Sequence, residues 1–177
     1  DGKTGWQNYQ VYAEMVNGVF DGLDIKLAFE PGRMIAGNAG VLLSTVIRTQ
    51  ERPSRPILVL DAGMNDLIRP AIYDAYHGIK PLREPASPGE TAYDVVGPIC
   101  ETGDTFTRNR ALPALAPGDV VAFMTAGAYG ATMASTYNAR ALVPEVLVRG
   151  GQHELVRRRW TLDEQLAREK LPDWIES

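Results

Sequence analysis

The chain has 177 residues and a net charge of −4; 45% of its residues are hydrophobic and 23% are charged. This composition is typical of a globular protein, and the acidic balance argues against a general nucleic-acid binder. The densest basic run, residues 157–159, fits a solvated strand end. The longest apolar stretch, residues 120–134, is interrupted by glycine and threonine, and it is shorter than the roughly 20 apolar residues that a membrane span requires.

The first 40 residues are predicted to contain one unit of an α/β domain. Residues 7–20 carry Val11, Met15 and Val19 on one face of a helix. Residues 23–29 alternate apolar and polar side chains, which predicts a strand with one buried face. The strand is predicted to end in a charged loop at residues 30–33, and strand ends of this kind carry the chemistry of α/β domains. One unit cannot bury both faces of its strand, so we expect this part to be incomplete.

After about residue 40 the sequence is rich in Val, Ile, Leu and Thr, with Pro and Gly between the runs. This texture predicts a mainly β domain over residues 41–177. Gly150 and Gly151 predict a hairpin turn. Thr161 and Glu164 have the form of a capping box before a terminal helix, which is predicted to run to about Leu171. Strands are predicted at residues 41–49, 57–60, 79–83, 92–96, 120–125, 145–149 and 153–159.

The tetrapeptide Glu30-Pro31-Gly32-Arg33 combines groups suited to an anion and to a protonated ring. A glycine lets backbone N–H groups approach an anion closely. An arginine adds a planar, permanent charge that matches phosphate or carboxylate, and a carboxylate pairs with a protonated ring nitrogen. Alone, the tetrapeptide favours a turn with a surface ion pair.

Further motifs follow at residues 61–77, 97–104 and 127–130. Together with residues 30–40 they resemble, in order and spacing, the C-terminal half of the diaminopimelate decarboxylases. These are pyridoxal-phosphate enzymes built from an alanine-racemase-like barrel and a β domain. Ornithine decarboxylases share the Glu-Pro-Gly-Arg and cysteine motifs, whereas the run from Arg69 to His77 points to the diaminopimelate branch. The resemblance implies that residues 1–40 are the last unit of a TIM-like (β/α)8 barrel and that residues 41–177 form a β-sandwich or barrel-like domain.

The resemblance also implies roles for individual residues. Pyridoxal 5′-phosphate would be held by Glu30, Pro31, Gly32, Arg33 and Tyr129, with the carboxylate of Glu30 at the ring nitrogen. The substrate, meso-2,6-diaminopimelate, would be bound by Arg33, Arg69, Tyr73, Glu101 and Tyr129. Cys100 would be catalytic and would return a proton to the α-carbon after CO₂ has left, since a thiol can donate a proton near neutral pH. Taken singly, each of these residues also fits a purely structural role.

The resemblance implies a homodimer in which Cys100 and Glu101 serve the active site of the other subunit. Lysine biosynthesis in the cytoplasm is the expected setting, which agrees with a single cysteine and no possible internal disulfide. We expect no metal site, no nucleic-acid partner and no membrane partner.

The lysine that carries the cofactor covalently is not expected in this chain. The lysines present are Lys3, Lys26, Lys80 and Lys170, and none stands in a context that resembles the family's cofactor lysine, which belongs to an early barrel strand. The chain begins Asp-Gly-Lys without methionine or signal peptide. We therefore expect a portion of a longer enzyme that is inactive alone.

Two other functions remain open at this stage. The first is a decarboxylase for another basic amino acid or a polyamine precursor, although Arg69 and Tyr73 favour a substrate with two carboxylates. The second is a non-catalytic paralogue, against which the joint presence of Glu30, Arg33 and Cys100 argues.

Overall fold

The computed structural model describes residues 5–84 and 89–175 and divides into two compact units, Asp1–Glu30 and Pro31–Ser177. The first unit holds helix α1 (Gly5–Phe20), and the ring of Tyr12 meets that of Phe29 edge-on at 6.1 Å. Residues 23–29 were predicted to be a strand, but they are not one here. A strand exists through hydrogen bonds to a neighbouring strand. Within residues 5–84 and 89–175 this segment pairs with no strand, and its backbone bonds are local, such as Ile25 N to Leu23 O at 3.0 Å.

The second unit opens with a short helix where a loop was predicted. Helix α2 (Gly32–Ala36) is followed by a 3-10 turn (Gly37–Ala39), so Gly32 and Arg33 lie in the first turn of a helix. Pro31 is the N-cap of α2, where the fixed φ of proline is compatible with helix entry.

A six-stranded sheet forms the body of the second unit. Helix α3 (Arg69–Tyr73) follows the second strand along the chain and precedes the third. The order across the sheet is β3-β6-β1-β2-β4-β5. The β2–β4 pair is parallel, and every other pair is antiparallel. The strands are β1 (Leu42–Gln50), β2 (Ile57–Leu60), β3 (Ile79–Pro81), β4 (Thr91–Val96), β5 (Thr105–Leu112) and β6 (Val120–Phe123).

The core of the second unit lies against the middle of this sheet. Leu58, Val95 and Val121 are fully buried, and the rings of Phe106 and Phe123 pack with their centroids 4.5 Å apart. Burial of this apolar surface is the main contribution to the stability of the unit.

A separate hairpin and a short helix complete the described chain. Strands β7 (Glu145–Arg149) and β8 (Gln152–Arg157) pair across the Gly150-Gly151 turn, as predicted. Helix α4 (Leu162–Leu166) has the predicted capping box but ends well before Leu171, and a 3-10 turn (Asp173–Ile175) follows. Across residues 5–84 and 89–175, no helix has the length and apolar character needed to cross a bilayer.

Candidate functional site

Arg69, the first residue of α3, is held beside Tyr129. Its guanidinium carbon lies 5.9 Å from the centre of the Tyr129 ring, and its Nη1 lies 3.4 Å from Nε2 of the buried His77. Nδ1 of His77 lies 2.9 Å from the carbonyl oxygen of Met124. A carbonyl only accepts hydrogen bonds, so Nδ1 donates and Nε2 offers its lone pair to Arg69. The cation is thereby fixed in place without being neutralised.

The loop that carries Tyr129 is conformationally strained. Thr125 has φ 60° and Tyr129 has φ 63°, a region that a β-branched residue such as threonine rarely adopts. The hydroxyl of Thr125 donates to Oδ1 of Asn38 at 2.9 Å, and this bond ties the strained loop to the turn that follows α2. Strain of this kind persists where surrounding contacts enforce it, and it concentrates at binding sites.

Two glycines bring the α2 segment directly against the Tyr129 loop. Ala126 N donates to Gly40 O at 2.9 Å, and Gly127 N donates to Gly37 O at 3.0 Å. A Cβ at Gly127 would overlap the carbonyl oxygen of Ala36 and would lie 2.7 Å from Gly40 N. Only glycine therefore permits this approach, which sets the helix bearing Arg33 against the base of the loop.

The loop that contains Cys100 is organised by Asp104, which is only 3% exposed. Its carboxylate accepts hydrogen bonds from Ile99 N at 2.6 Å and from Met64 N at 2.7 Å. Burial raises the pKa of Asp104, and these two backbone bonds oppose that rise. A side chain at Gly97 would collide with the same carboxylate. Asp104 therefore joins the Cys100 loop to the loop that follows β2.

Glu101 is paired with Tyr137, whose hydroxyl donates to Glu101 Oε2 at 2.7 Å. The segment around Tyr137 is anchored on the buried Asn65: Ser135 N donates to the Asn65 carbonyl at 2.8 Å, and Arg140 Nε donates to Asn65 Oδ1 at 3.0 Å. Both ends of the segment are therefore fixed to the interior.

Arg140 also compensates a buried carboxylate. It donates to the Asp61 carbonyl at 2.5 Å and lies 3.7 Å from Asp66 Oδ2. Burial raises the pKa of Asp66, and a backbone bond from Gly63 and the charge of Arg140 oppose the rise. The polar cluster Asn65–Asp66–Arg140 thus fixes the geometry beneath the Cys100 and Tyr137 segments.

The predicted site residues fall into separate groups. Arg69 and Tyr129 are brought together, and Cys100 and Glu101 lie side by side on an exposed loop. Within the described chain, no hydrogen bond, ion pair or ring contact joins these two pairs. The remaining predicted residues are all exposed: Glu30, at the end of the first unit, Pro31, Gly32 and Arg33, around the start of α2, and Tyr73, at the end of α3.

The residues at the start of α2 fit the phosphate of the expected cofactor. Open space surrounds the position where Gly32 would carry a Cβ, and no side chain caps the helix at this end. Arg33 is exposed and makes no ion pair within residues 5–84 and 89–175. Unobstructed space at a glycine beside an exposed guanidinium suits the close approach of a phosphate.

The lysines of the described residues lie at the surface of their own units. Lys26, Lys80 and Lys170 are all exposed, and Lys170 is paired at the surface with Asp173 at 3.8 Å. Lys3 lies outside the described residues.

Sequence reasoning assigned no role to His77, Asp104, Tyr137 and Arg140. The signal that could have found His77 and Asp104 was a polar side chain at the end of a recognised motif. His77 ends the run that begins at Arg69, and Asp104 ends the cysteine motif. Buried polar groups need partners, so these motif ends are natural places for residues that support a site.

Comparison with known proteins gives one consistent result. The family model described as pyridoxal-dependent decarboxylase, C-terminal sheet domain, matches residues 11–127. The diaminopimelate decarboxylase of Zymomonas mobilis subsp. mobilis is 48% identical over 166 residues, which cover 94% of this chain and 39% of that protein. The chain thus spans about two fifths of the length of this curated relative.

Two solved structures of similar proteins contain L-lysine. The diaminopimelate decarboxylase from Helicobacter pylori complexed with L-lysine matches with a TM-score of 0.79 and 36% identity, over 89% of this chain and 38% of that one. The diaminopimelate decarboxylase from M. jannaschii, in co-complex with L-lysine, matches with a TM-score of 0.80 and 35% identity, over 92% of this chain and 37% of that one.

Proposed function

Since this chain belongs to the pyridoxal-dependent decarboxylases, whose C-terminal sheet domain it carries, we propose that it is the C-terminal portion of a diaminopimelate decarboxylase. The complete enzyme would convert meso-2,6-diaminopimelate to L-lysine and CO₂. The observation that carries the proposal is the 48% identity to a diaminopimelate decarboxylase over 94% of the chain. The lysine complexes of two similar structures support a product of this kind.

The site residues carry charges that match such a substrate. Diaminopimelate has two carboxylates and two ammonium groups, and Arg33, Arg69 and Glu101 offer two cations and one anion. Arg69 keeps its charge available because its neighbours, His77 and Tyr129, are neutral groups. Tyr73 and Tyr129 would complete the contacts to the substrate.

Pyridoxal phosphate would be held through Glu30 and through the Pro31, Gly32 and Arg33 segment, with Tyr129 near the ring. When bound, it supplies an electron-withdrawing ring that stabilises the negative charge left on the α-carbon as CO₂ departs. The backbone at Gly32 and Arg33 would bind and orient the phosphate, and the carboxylate of Glu30 would hold a proton at the ring nitrogen.

Cys100 would hold the proton that is returned to the α-carbon. Its thiol is exposed on a loop whose backbone is fixed by Asp104, so the sulfur is both accessible and positioned. By the resemblance to the diaminopimelate decarboxylases, we propose a homodimer in which Cys100 and Glu101 serve the active site of the other subunit.

We assign residues 1–40 to the end of a TIM-like (β/α)8 barrel and residues 41–177 to the C-terminal β domain. The exposed apolar side chains at Leu23, Ile25, Leu27 and Phe29 support this assignment, because a strand of a barrel buries such residues against its neighbours. The complete enzyme would work in the cytoplasm. This portion alone would be inactive, since the lysine that binds the cofactor would lie elsewhere.

The test uses the complete enzyme with meso-diaminopimelate, ornithine and arginine as substrates. Release of CO₂ from diaminopimelate alone is expected; preferred turnover of ornithine or arginine would favour the decarboxylase of another basic amino acid. Replacing Cys100 with Ala should lower kcat by about 100-fold or more, as expected for the loss of a general acid. An unchanged rate would contradict the role of Cys100. If the native enzyme turned over none of the three substrates, a non-catalytic paralogue would be favoured.

The inactivity of the isolated chain is tested separately. The chain is mixed with pyridoxal phosphate, reduced with borohydride and mapped by mass spectrometry. We expect no preferred lysine; stoichiometric labelling of Lys3, Lys26, Lys80 or Lys170 would refute the expectation.

A further inference from the structure

Tyr137 holds one oxygen of Glu101 and leaves the other free. Its hydroxyl donates to Oε2 at 2.7 Å, whereas Oε1 accepts no hydrogen bond within residues 5–84 and 89–175. Gly103 leaves room beside that oxygen, since a Cβ there would lie 3.1 Å from Oε1. The carboxylate therefore has a fixed direction and one open acceptor.

The position of Tyr137 is set from the interior of the unit. Ser135 and Arg140, on either side of it, are both bonded to Asn65, which is 1% exposed. Asn138 and Ala139 have φ 56° and 55°, a turn that non-glycine residues adopt only where neighbouring contacts impose it. The backbone after Tyr137 is thus bent to keep the ring over Glu101.

Stability alone does not account for this pair. Glu101 and Tyr137 are both exposed, and polar pairs at an exposed surface contribute little to folding. The hydrogen bond to Glu101, together with the negative charge of that carboxylate, raises the pKa of Tyr137, so the phenol remains a hydrogen-bond donor to Glu101.

We propose that Tyr137 is a positioning residue that orients Glu101 toward the ammonium group at the non-reacting end of a diamino dicarboxylate substrate. This inference rests on the proposed function. With Oε2 held by the Tyr137 hydroxyl, the carboxylate presents Oε1 to the ligand. Tyr137 acts through Glu101, so a ligand without that ammonium group gains nothing from it.

The experiment compares Tyr137→Phe, Glu101→Gln and the double variant in the complete enzyme, with Tyr12→Phe as a matched control that removes an exposed tyrosine hydroxyl elsewhere. KM and kcat are measured for meso-diaminopimelate. The inhibition constant is measured for 2-aminopimelate, which keeps both carboxylates and the reacting amino group but lacks the other amino group.

We expect Tyr137→Phe to raise KM for diaminopimelate about tenfold with kcat nearly unchanged, as for the loss of one hydrogen bond to a charged group. Binding of 2-aminopimelate should stay the same, and the double variant should be no worse than Glu101→Gln alone. Equal loss for both ligands, additive effects in the double variant, or no change in KM would each overturn the role of Tyr137. If Glu101→Gln itself leaves KM unchanged, the role proposed for Glu101 fails first, and the inference fails with it.

Discussion

Asp104 lies beneath the loop that carries Cys100 and is the residue on which that loop depends most. Two backbone N–H groups from different loops donate to its carboxylate. A carboxylate offers several acceptor sites, whereas an amide offers one oxygen and turns a donor toward the second N–H group. The two oxygens of this carboxyl group therefore hold the two loops together.

Replacing Asp104 with Asn should destabilise the chain by about 1–3 kcal/mol, because one buried N–H group loses its acceptor. Chemical denaturation measures the change. Asp119→Asn is the control, since Asp119 accepts a single backbone bond, from Ala116 N at 2.7 Å, in a more exposed turn. A loss at Asp104 no larger than at Asp119 would contradict the explanation.

At this scale the sequence indicated candidate site residues, but it did not indicate the residues that hold them in place. Cys100 and Glu101 were predicted as neighbours in a motif, and adjacency is visible in any sequence. The partner of Glu101, Tyr137, lies 36 positions away, and Arg140 is 75 positions from Asn65. Contacts of this range depend on the path of the chain through the sheet, which no local pattern encodes.

The approach of α2 to the Tyr129 loop is the element-scale feature on which the proposed phosphate contacts rest. Gly127 has no room for a methyl group because the atoms around it belong to the backbone of Ala36 and Gly40. Backbone atoms of a packed segment cannot rotate aside as the end of a side chain can, so a substitution must move the whole segment.

Gly127→Ala should destabilise the chain by about 1–3 kcal/mol, as expected for overpacking. It should also displace Arg33 together with α2. Thermal unfolding gives the first effect, and protection of α2 amides in hydrogen exchange gives the second. Gly151→Ala is the control, because open space surrounds Gly151; equal shifts for the two variants would refute the packing argument.

Helix α4 should respond to acid through its cap. Hydrogen bonds from Arg158 and from the backbone of Thr161 lower the pKa of Glu164 to about 2. A lowered carboxyl pKa stabilises the folded form above the unfolded value and loses that effect as pH falls through the folded value. We expect α4 to fray between about pH 4.5 and 2, which amide exchange by NMR detects. Glu164→Gln should remove this pH dependence; a persistent transition would assign it to another group.

Strands with a strong apolar run were predicted well. Strands that depend on pairing with a neighbouring strand were not. The central residues of β1, β2, β4 and β6 lie where the apolar runs predicted strands. Strand β5 was missed because its sequence, Thr-Phe-Thr-Arg-Asn-Arg-Ala-Leu, is polar and Asn109 has φ 54°. It is a strand because β4 supplies its partner. Residues 23–29 are the converse, with a strand-like pattern and no partner in the described chain.

At the scale of the whole molecule, the sequence predicted a mainly β domain after residue 40, but it did not predict the order of the strands. The order β3-β6-β1-β2-β4-β5 places strands from both ends of the domain side by side, and the parallel β2–β4 pair requires the intervening segment to cross over. Apolar patterning specifies which faces are buried, whereas it says little about which strand neighbours which.

The place of β6 has a consequence for how the domain is made. This strand is the last of the six to be synthesised, yet it sits between β1 and β3 and contributes Val121 and Phe123 to the core. During translation β1 and β3 therefore lack their common partner, and the sheet cannot be complete before residue 123 has been synthesised. Pairings between distant segments are slow to form, so we expect the pairing of β6 with β1 and β3 to be a late step in folding.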